Sequence, residues 1–351
     1  MTSQISLLAD FGWNNFFASQ LDLGDPGVPV RVMAVRRDRL HVAGPAIDTF
    51  TPPFTETPGD DASAATVGDW LLLDAETLRP RKLLRRRSLF KRRAAGTGRK
   101  LQLIAANVDT LFIVSSCNQD FSPARLERYL ALAREAEVTP VVVLTKADLA
   151  DNPGDFAREA AKLLPGLLVE VLDAREADNA ACLLAWCGRG QTVALVGSSG
   201  VGKSTLVNTL IGTDQAATQG IRADDDKGRH TTTGRELHRL PAGGWLMDTP
   251  GMRELQLTDA GSGLDELFSD VVAAAQNCRF SDCRHETEPG CAIQAGIARG
   301  EIEADRIRRW RKLAAEEVYN TETLAERHAR SRVFGKMARN AMADKRFRRG
   351  E

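Results

Sequence analysis

The feature that most constrains the fold is a complete phosphate-binding motif in the middle of the chain. The residues from Gly197 to Ser204 read G-S-S-G-V-G-K-S, follow the apolar segment "TVALV" and lead into the helix-forming segment "STLVNTLIG". Glycines let backbone N–H groups wrap around phosphates, and the start of the following helix adds partial positive charge. In such loops the lysine reaches the β and γ phosphates and the hydroxyl binds Mg²⁺. The predicted phosphate loop comprises Gly197, Ser198, Ser199, Gly200, Val201, Gly202, Lys203, Ser204 and Thr205, with Lys203 catalytic and Ser204 a magnesium ligand.

Strands and helices alternate around this motif. Apolar strand-like runs begin at Asp109 ("DTLFIV") and recur as "VTPVVVLT", "LLVEVLDA" and "QTVALVG". Between the first two, a helix is predicted with Ser122 as N-cap and Pro123 at its first position. Continuous apolar runs suit buried parallel strands, and the alternation predicts a doubly wound α/β domain.

A second phosphate-sensing segment follows the phosphate loop. "WLMDTPG", ending at Gly251, is a predicted strand that runs into D-x-x-G. In this context Asp248 is expected to hold Mg²⁺ and the Gly251 N–H to contact the γ phosphate. The polar segment before it, "DDDKGRHTTTGREL", is where a switch is expected to lie. One threonine of 231–233, taken as Thr232, is the predicted second magnesium ligand.

A base-recognition loop is predicted upstream of the phosphate loop. Thr145-Lys146-Ala147-Asp148 resembles the N-K-x-D loop of GTP-binding proteins. A carboxylate at Asp148 accepts hydrogen bonds from the guanine N1–H and amino group, whereas adenine offers no such donor pair. Lys146 is expected along the base, and the Ala174 N–H at the guanine oxygen. Because the base loop precedes the phosphate loop, the sequence predicts a circularly permuted domain, which is possible when chain ends lie close together.

A cysteine-histidine cluster follows the predicted switches. Cys278, Cys283, His285 and Cys291 offer three thiolates and one imidazole within a short segment. Four such ligands match a closed tetrahedral Zn²⁺ site with no open position for catalysis. We therefore expect a structural zinc.

The amino-terminal part is predicted to be a small all-β barrel. Residues 28–42 alternate apolar and polar side chains, and short strands are separated by turn signals with no helical period before about residue 123. The net charge is zero, yet residues 79–100 carry eleven Lys or Arg and no acid. A basic strand on such a barrel suits oligonucleotide binding, while a solvated charged hairpin is the alternative. The predicted RNA contacts are Arg85, Arg86, Arg87, Lys91, Arg92 and Arg93.

Taken together, the motifs resemble one family, the ribosome small-subunit-dependent GTPase A (RsgA) family. The likeness covers "RRRSLFKRRAAG", "QLIAANVDTLFIV", "TKAD", "GSSGVGKSTLVN", "GRHTTT", "DTPGMREL" and "CRFSDCRHETEPGC". The resemblance implies an oligonucleotide-binding barrel, a permuted GTPase centre and a carboxyl-terminal zinc module. It also implies GTP hydrolysis in late maturation of the small ribosomal subunit, with rRNA and GTP or GDP as partners.

The chain departs from the family pattern at three positions. Thr145 replaces the usual Asn, which removes an amide that buttresses neighbouring loops, and Asp173 stands where Ser is usual. We expect weaker nucleotide affinity with guanine preference retained. Met252 replaces the water-positioning Gln of many GTPases, so slow intrinsic hydrolysis is expected. His230 or a ribosomal group is the candidate substitute.

Three domains are predicted: an amino-terminal arm and barrel over 1–100, the GTPase domain over 101–268, and the zinc module with carboxyl-terminal helices over 269–351. No apolar run approaches the length of a membrane helix and no signal peptide is recognisable, so a cytoplasmic monomer without membrane contacts is expected. Two alternatives remain. One is a GTP-gated RNA-binding protein with incidental turnover, and the other is a non-ribosomal P-loop ATPase or small-molecule kinase.

Overall fold

The structure is a computed structural model that describes residues 7–22, 24, 26–93, 101–212, 235–248, 255 and 257–321. The described elements of its amino-terminal part include a short helix and seven strands. These are α1 (Asn15–Ala18), β1 (Val28–Val35), β2 (Leu40–Gly44), β3 (Ile47–Thr51), β4 (Trp70–Leu73), β5 (Pro80–Leu83), β6 (Leu89–Arg93) and β7 (Leu101–Ala106).

Five of these strands form an antiparallel unit in the order β3-β2-β1-β4-β5, with β6 and β7 paired as a separate hairpin. Alternate side chains of β1, β2 and β4 point inward, and Val30, Val42 and Leu71 are fully buried among them. Helix α1 was not predicted, because four residues are too short to leave a helical period. It begins where the Asn14 side chain accepts a hydrogen bond from the Phe16 N–H at 3.0 Å.

The central part alternates strands and helices as predicted. Its elements are β8 (Thr110–Ser116), α2 (Pro123–Glu135), β9 (Thr139–Thr145), α3 (Pro153–Ala161), β10 (Leu168–Val171), α4 (Ala177–Ala180), β11 (Thr192–Val196), α5 (Lys203–Ile211), β12 (Arg235–Arg239) and β13 (Trp245–Asp248). Strands β10-β9-β8-β11-β13 are parallel neighbours, and β12 runs antiparallel to β13. Helix α2 begins at Pro123, although the Ser122 side chain makes no capping hydrogen bond.

The two strand systems form one continuous sheet. Strand β12 pairs with β13 on one side and with β1 of the amino-terminal unit on the other, through Ala34↔Glu236 and Val35↔Arg235. The Arg31 side chain is buried at this junction and donates to the Thr192 hydroxyl at 2.7 Å. Burial lowers the pKa of Arg31 to about 10.

The predicted division after residue 100 falls between two strands that pair with each other. Strand β7 pairs with β6, and only three residues separate β7 from β8, the first strand of the parallel system. The predicted boundary therefore lies inside the β6–β7 hairpin.

The carboxyl-terminal part is helical within the described residues, with α6 (Gly261–Leu267), α7 (Ser269–Ala275), α8 (Ala292–Ala298) and α9 (Ala304–Thr321). Leu264, Phe268, Ile307 and Leu313 join the same core as helix α2. A buried charge also ties α9 to α2, because Arg309 donates to the fully buried Glu127 carboxylate at 2.7 Å. Within the described ranges, none of the helices combines the length and apolar character needed to cross a membrane.

Candidate nucleotide site and metal centre

The predicted nucleotide loops leave the sheet at one edge. Strands β9, β10, β11 and β13 are parallel and end at Thr145, Val171, Val196 and Asp248. The base loop (Thr145–Asp148) therefore follows β9 at the same edge at which the phosphate loop follows β11. Ligands of open α/β sheets bind at this carboxyl edge. The permuted chain order thus still brings the predicted loops together.

The phosphate loop has the backbone geometry that its glycines imply. Gly197 has φ 146°, and a Cβ there would lie 2.2 Å from the Val114 carbonyl oxygen, so only glycine fits. Gly202 has φ 91° at the residue before α5. The buried Lys203 ammonium donates to the Gly197 carbonyl at 2.8 Å and also to the Ser198 carbonyl. The lysine charge is thereby held inside the loop at the start of a helix.

The base loop is a tight turn at the end of β9. Lys146 adopts a left-handed backbone conformation with φ 56°, and a single 3₁₀ turn over Ala147–Leu149 carries Asp148. Ala174 is buried, and its carbonyl accepts a hydrogen bond from the Thr209 hydroxyl of α5 at 2.7 Å. The segment after β10 is thus bonded to the helix that follows the phosphate loop.

The expected loss of a buttress at Thr145 is wrong. Thr145 is fully buried, and its hydroxyl lies 2.6 Å from the Val201 carbonyl oxygen and 3.1 Å from that of Ser115. A hydroxyl has one hydrogen to donate, and the shorter distance assigns it to Val201. The base loop and the phosphate loop are therefore bonded directly to each other. Weaker nucleotide affinity was expected because a contact would be lost at position 145. The hydroxyl contact removes this reason for the expectation.

Sequence reasoning also missed Arg175. Its guanidinium donates to the Asp148 carboxylate at 2.7 Å and to the Asp173 carboxylate at 2.6 Å. The only sequence signal was a basic residue two positions after the unusual Asp173. Its hydrogen bonds to Asp173 lower the pKa of that carboxyl to about 2.

Several predicted residues fall outside the described part of the chain. These are His230, Thr232, Gly251 and Met252, together with the side chain of Asp248. Of the three predicted magnesium ligands, only the Ser204 side chain is described, and it is exposed in the first turn of α5.

The cysteine-histidine cluster assembles as the spacing predicts. The ligand atoms of Cys278, Cys283, His285 and Cys291 all lie within 4.8 Å of one another. The Cys278 sulfur is 3.5 Å from the His285 Nδ1 and 4.0 Å from the Cys291 sulfur. Zn–S bonds of ~2.3 Å and Zn–N bonds of ~2.0 Å in a tetrahedron require separations of about 3.5 to 3.8 Å. The donor set and its spacing fit zinc.

The zinc loop is held in shape by contacts outside the ligand set. Gln294 of α8 donates to the His285 carbonyl at 2.6 Å, and Arg311 of α9 donates to the carbonyls of Arg284 and His285. Glu288 accepts hydrogen bonds from three backbone N–H groups of the same loop, which hold its pKa at about 2. Both helices α8 and α9 are thereby tied to the candidate metal centre.

The predicted RNA-contacting residues differ in how they are placed. The Arg86 side chain is only 12% exposed and donates to both oxygens of the fully buried Asp69 carboxylate at 2.8 Å. It also donates to the carbonyls of Ala62 and Ala64. All these acceptors belong to the amino-terminal strand unit, so Arg86 stabilises that unit and most of its guanidinium is occupied by internal contacts.

The other five residues remain nearer the surface. Arg85 and Arg87 are exposed, and Arg87 pairs with Asp109 at 3.1 Å. Lys91 and Arg93 of β6 are half-buried and both pair with Asp259, while Arg92 donates to Gln102. Arg85 and Arg87 are therefore the most accessible of the predicted cations.

Comparison with known proteins identifies the family. The sequence model of the RsgA GTPase family matches residues 83–258. The chain is 50% identical to small ribosomal subunit biogenesis GTPase RsgA 2 of Vibrio parahaemolyticus over 343 residues, covering 97% of this chain and 94% of that protein. It is also 50% identical to small ribosomal subunit biogenesis GTPase RsgA of Mesorhizobium japonicum over 325 residues, covering 92% of this chain and 93% of that protein.

Solved structures give the same fold. YjeQ from Thermotoga maritima superposes with a TM-score of 0.61 at 23% identity, over 82% of this chain and 97% of that one. YloQ, described as a circularly permuted GTPase, superposes with a TM-score of 0.58 at 21% identity, over 84% of this chain and 97% of that one. With its loops in permuted order at one sheet edge and this degree of identity, the chain belongs to the RsgA GTPase family.

Proposed function

We propose that the protein hydrolyses GTP as a late assembly factor of the small ribosomal subunit, acting in the cytoplasm as a monomer. It binds rRNA in the GTP state and is released on hydrolysis. The GTPase part of the proposal is supported by the contact between the base loop and the phosphate loop. The Thr145 hydroxyl of the base loop is hydrogen-bonded to the Val201 carbonyl of the phosphate loop. The names of relatives that are 50% identical over nearly the whole chain support the ribosomal part.

Each loop has a separate task in the proposed reaction. Asp148 selects guanine, the phosphate-loop N–H groups hold the phosphates, and Lys203 stabilises the negative charge that spreads over the γ phosphate in the transition state. Mg²⁺, when held by Ser204, Thr232 and Asp248, would add positive charge there. A Met at 252 cannot orient the attacking water, so His230 or a ribosomal group supplies that function.

The predicted switch segments are adjacent in the chain to both proposed RNA-binding regions. A change of bound nucleotide can therefore be transmitted to these regions along the chain. Strand β12 continues directly from the predicted switch segment and pairs with barrel strand β1 at Glu236 and Ala34. The zinc module follows the D-T-P-G segment on its other side. We propose an oligonucleotide-binding barrel that grips rRNA and a structural Zn²⁺ that stiffens the carboxyl-terminal module.

The Arg-rich helix α9 is the weaker candidate for the RNA grip. Arg306 and Arg309 pair with the buried Glu127, and Arg311 donates to carbonyls of the zinc loop. These cations are committed to internal contacts. The barrel surface near Arg85 and Arg87 is therefore the better candidate.

Turnover measured with purified ribosomal particles tests the proposal. Small subunits are expected to raise GTP turnover by orders of magnitude, and large subunits or free RNA much less. Charge reversal at Arg85, Arg87 and Lys91 should weaken this stimulation and flatten its salt dependence. A control variant with the same charge change, at the exposed Arg158, Lys162 and Arg299, should respond as the wild type does.

Two other outcomes would point to different functions. Equal competition by ATP and GTP would indicate a non-ribosomal P-loop NTPase. Single-turnover rates unaffected by small subunits, with binding still dependent on GTP, would indicate a GTP-gated RNA-binding protein.

A further inference from the structure

Two carboxylates stand side by side at the predicted guanine site. Asp148 ends the base loop and Asp173 opens the segment after β10, and a single nitrogen of Arg175 reaches both. Its Nη2 lies 2.7 Å from Asp148 Oδ2 and 2.6 Å from Asp173 Oδ2. Arg175 also donates through Nε to Asp173 at 3.0 Å and through its backbone N–H at 3.0 Å. The guanidinium is thus anchored on Asp173 and extends one N–H to Asp148.

The bridge compensates for the residue at position 173. A serine hydroxyl there would be able to donate a hydrogen bond to Asp148, but an aspartate carboxylate accepts only. Two carboxylates close enough to share one nitrogen would also repel each other, and this repulsion would favour protonation of one of them. Arg175 removes both problems, because it supplies a donor to Asp148 and a positive charge between the two acids.

Arg175 supports the Asp148 carboxylate and leaves it accessible to the guanine base. The Nε and Nη2 groups of Arg175 both donate to Asp173. Only one N–H reaches Asp148, and it occupies only one of the two Asp148 carboxylate oxygens, Oδ2. An ionised carboxylate has about four acceptor positions on its two oxygens. Asp148 therefore keeps the capacity to accept both the N1–H and the amino group of guanine while the bridge stays in place.

We infer that Arg175 is a positioning residue that sets guanine specificity, holding the Asp148 carboxylate ready for the base while anchored on Asp173. The inference rests on the proposed role of Asp148 in GTP binding. Because the Arg175 side chain is 64% exposed, solvent screens the bridge and limits its effect. We expect the bridge to contribute about twofold to fivefold in guanine nucleotide affinity, the upper part of the range for an exposed charge pair.

The test compares binding of GDP and ADP to the full-length protein by calorimetry. Arg175→Ala should weaken GDP binding about twofold to fivefold and leave ADP binding unchanged, so that base discrimination shrinks by the same factor. Arg175→Lys, which keeps the charge without the fork, should lose less. The double variant Asp173→Ser/Arg175→Ala should recover GDP affinity, because a hydroxyl then replaces the bridge as donor and the second carboxylate is gone.

The matched control is Arg158→Ala, which removes an exposed arginine paired with Asp155 on helix α3. It should change neither affinity. Unchanged or tighter GDP binding in Arg175→Ala would overturn the inference, tighter binding being the mark of a blocking arginine. An equal loss for ADP, or no recovery in the double variant, would overturn it as well. Equal wild-type affinity for GDP and ADP would instead reject the proposed GTP site itself.

Discussion

The Thr145 hydroxyl donates a hydrogen bond to the Val201 carbonyl oxygen across 2.6 Å. This bond joins the base loop to the phosphate loop over 56 residues of chain, within a fully buried environment. Thr145→Val keeps the shape but leaves the carbonyl without its donor, which costs about 1 to 3 kcal/mol for a buried group. We expect a lower melting temperature and weaker GDP binding. Thr139→Val, at the exposed start of the same strand, is the control, and equal behaviour of the two variants would show that the bond is unimportant.

Asp148→Asn is expected to change the preferred nucleotide from GTP to XTP. The amide donates to the xanthine 2-carbonyl, whereas the original carboxylate accepts from the guanine amino group. Competition by GTP, XTP and ATP against a fluorescent GDP analogue measures the change. Retention of the GTP preference in the variant would mean that another residue reads the base.

Lys203→Ala should abolish most turnover while the fold survives. The ammonium lies within the phosphate loop and its charge is lost where transition-state charge develops, so turnover should fall on the order of 100-fold or more. Steady-state phosphate release with and without small subunits measures it. The control is Lys162→Ala, an exposed lysine at the end of helix α3. Wild-type rates in Lys203→Ala would exclude this loop as the catalytic site.

Arg86→Ala should destabilise the amino-terminal strand unit, because it leaves the fully buried Asp69 carboxylate with the Thr66 N–H but without its ion-pair partner. Breaking a buried ion pair costs about 3 to 5 kcal/mol, whereas Arg87→Ala, at a half-exposed pair with Asp109, should cost less than about 1 kcal/mol. Urea denaturation of the two variants measures the difference. Similar losses in both would contradict the structural role given to Arg86.

The loss in Arg86→Ala should also depend on pH. Burial raises the pKa of Asp69 above its ordinary value and the Arg86 guanidinium opposes that rise, so removing Arg86 raises the pKa further and the folded variant binds the proton more tightly than the folded wild type does. Stability is then lost as pH rises from the ordinary carboxyl value towards the raised one. The variant should therefore be less impaired at pH 5 than at pH 8. An equal deficit at both values would mean that Asp69 does not carry the penalty.

One zinc per chain is expected in protein purified without chelator. Cys283→Ser should lose the metal and raise hydrogen exchange over 278–321, because helices α8 and α9 are bonded to the zinc loop through Gln294 and Arg311. Cys182→Ser, at an exposed cysteine outside the cluster, should keep its zinc. Absence of metal from the wild type by elemental analysis would reject the site.

The sequence by itself determined the features that depend on short spacings. The phosphate loop needs nine consecutive residues between a strand and a helix, and the metal centre needs four ligands between Cys278 and Cys291. The β-α alternation of the central domain follows from apolar runs that suit buried parallel strands. Each of these patterns depends on local backbone geometry. It can therefore be recognised without knowing which distant segment packs against it.

Tertiary structure alone decided which partner each polar side chain has. Arg86 and Arg87 are adjacent and chemically identical, yet one is paired with the buried Asp69 and the other is exposed. Thr145 looked like a lost buttress and is bonded to Val201, and β12 joins the amino-terminal strands to the parallel sheet through β1. Spacing along the chain carries no record of these partners. They are set when apolar packing brings distant segments together and every buried donor and acceptor must be satisfied there.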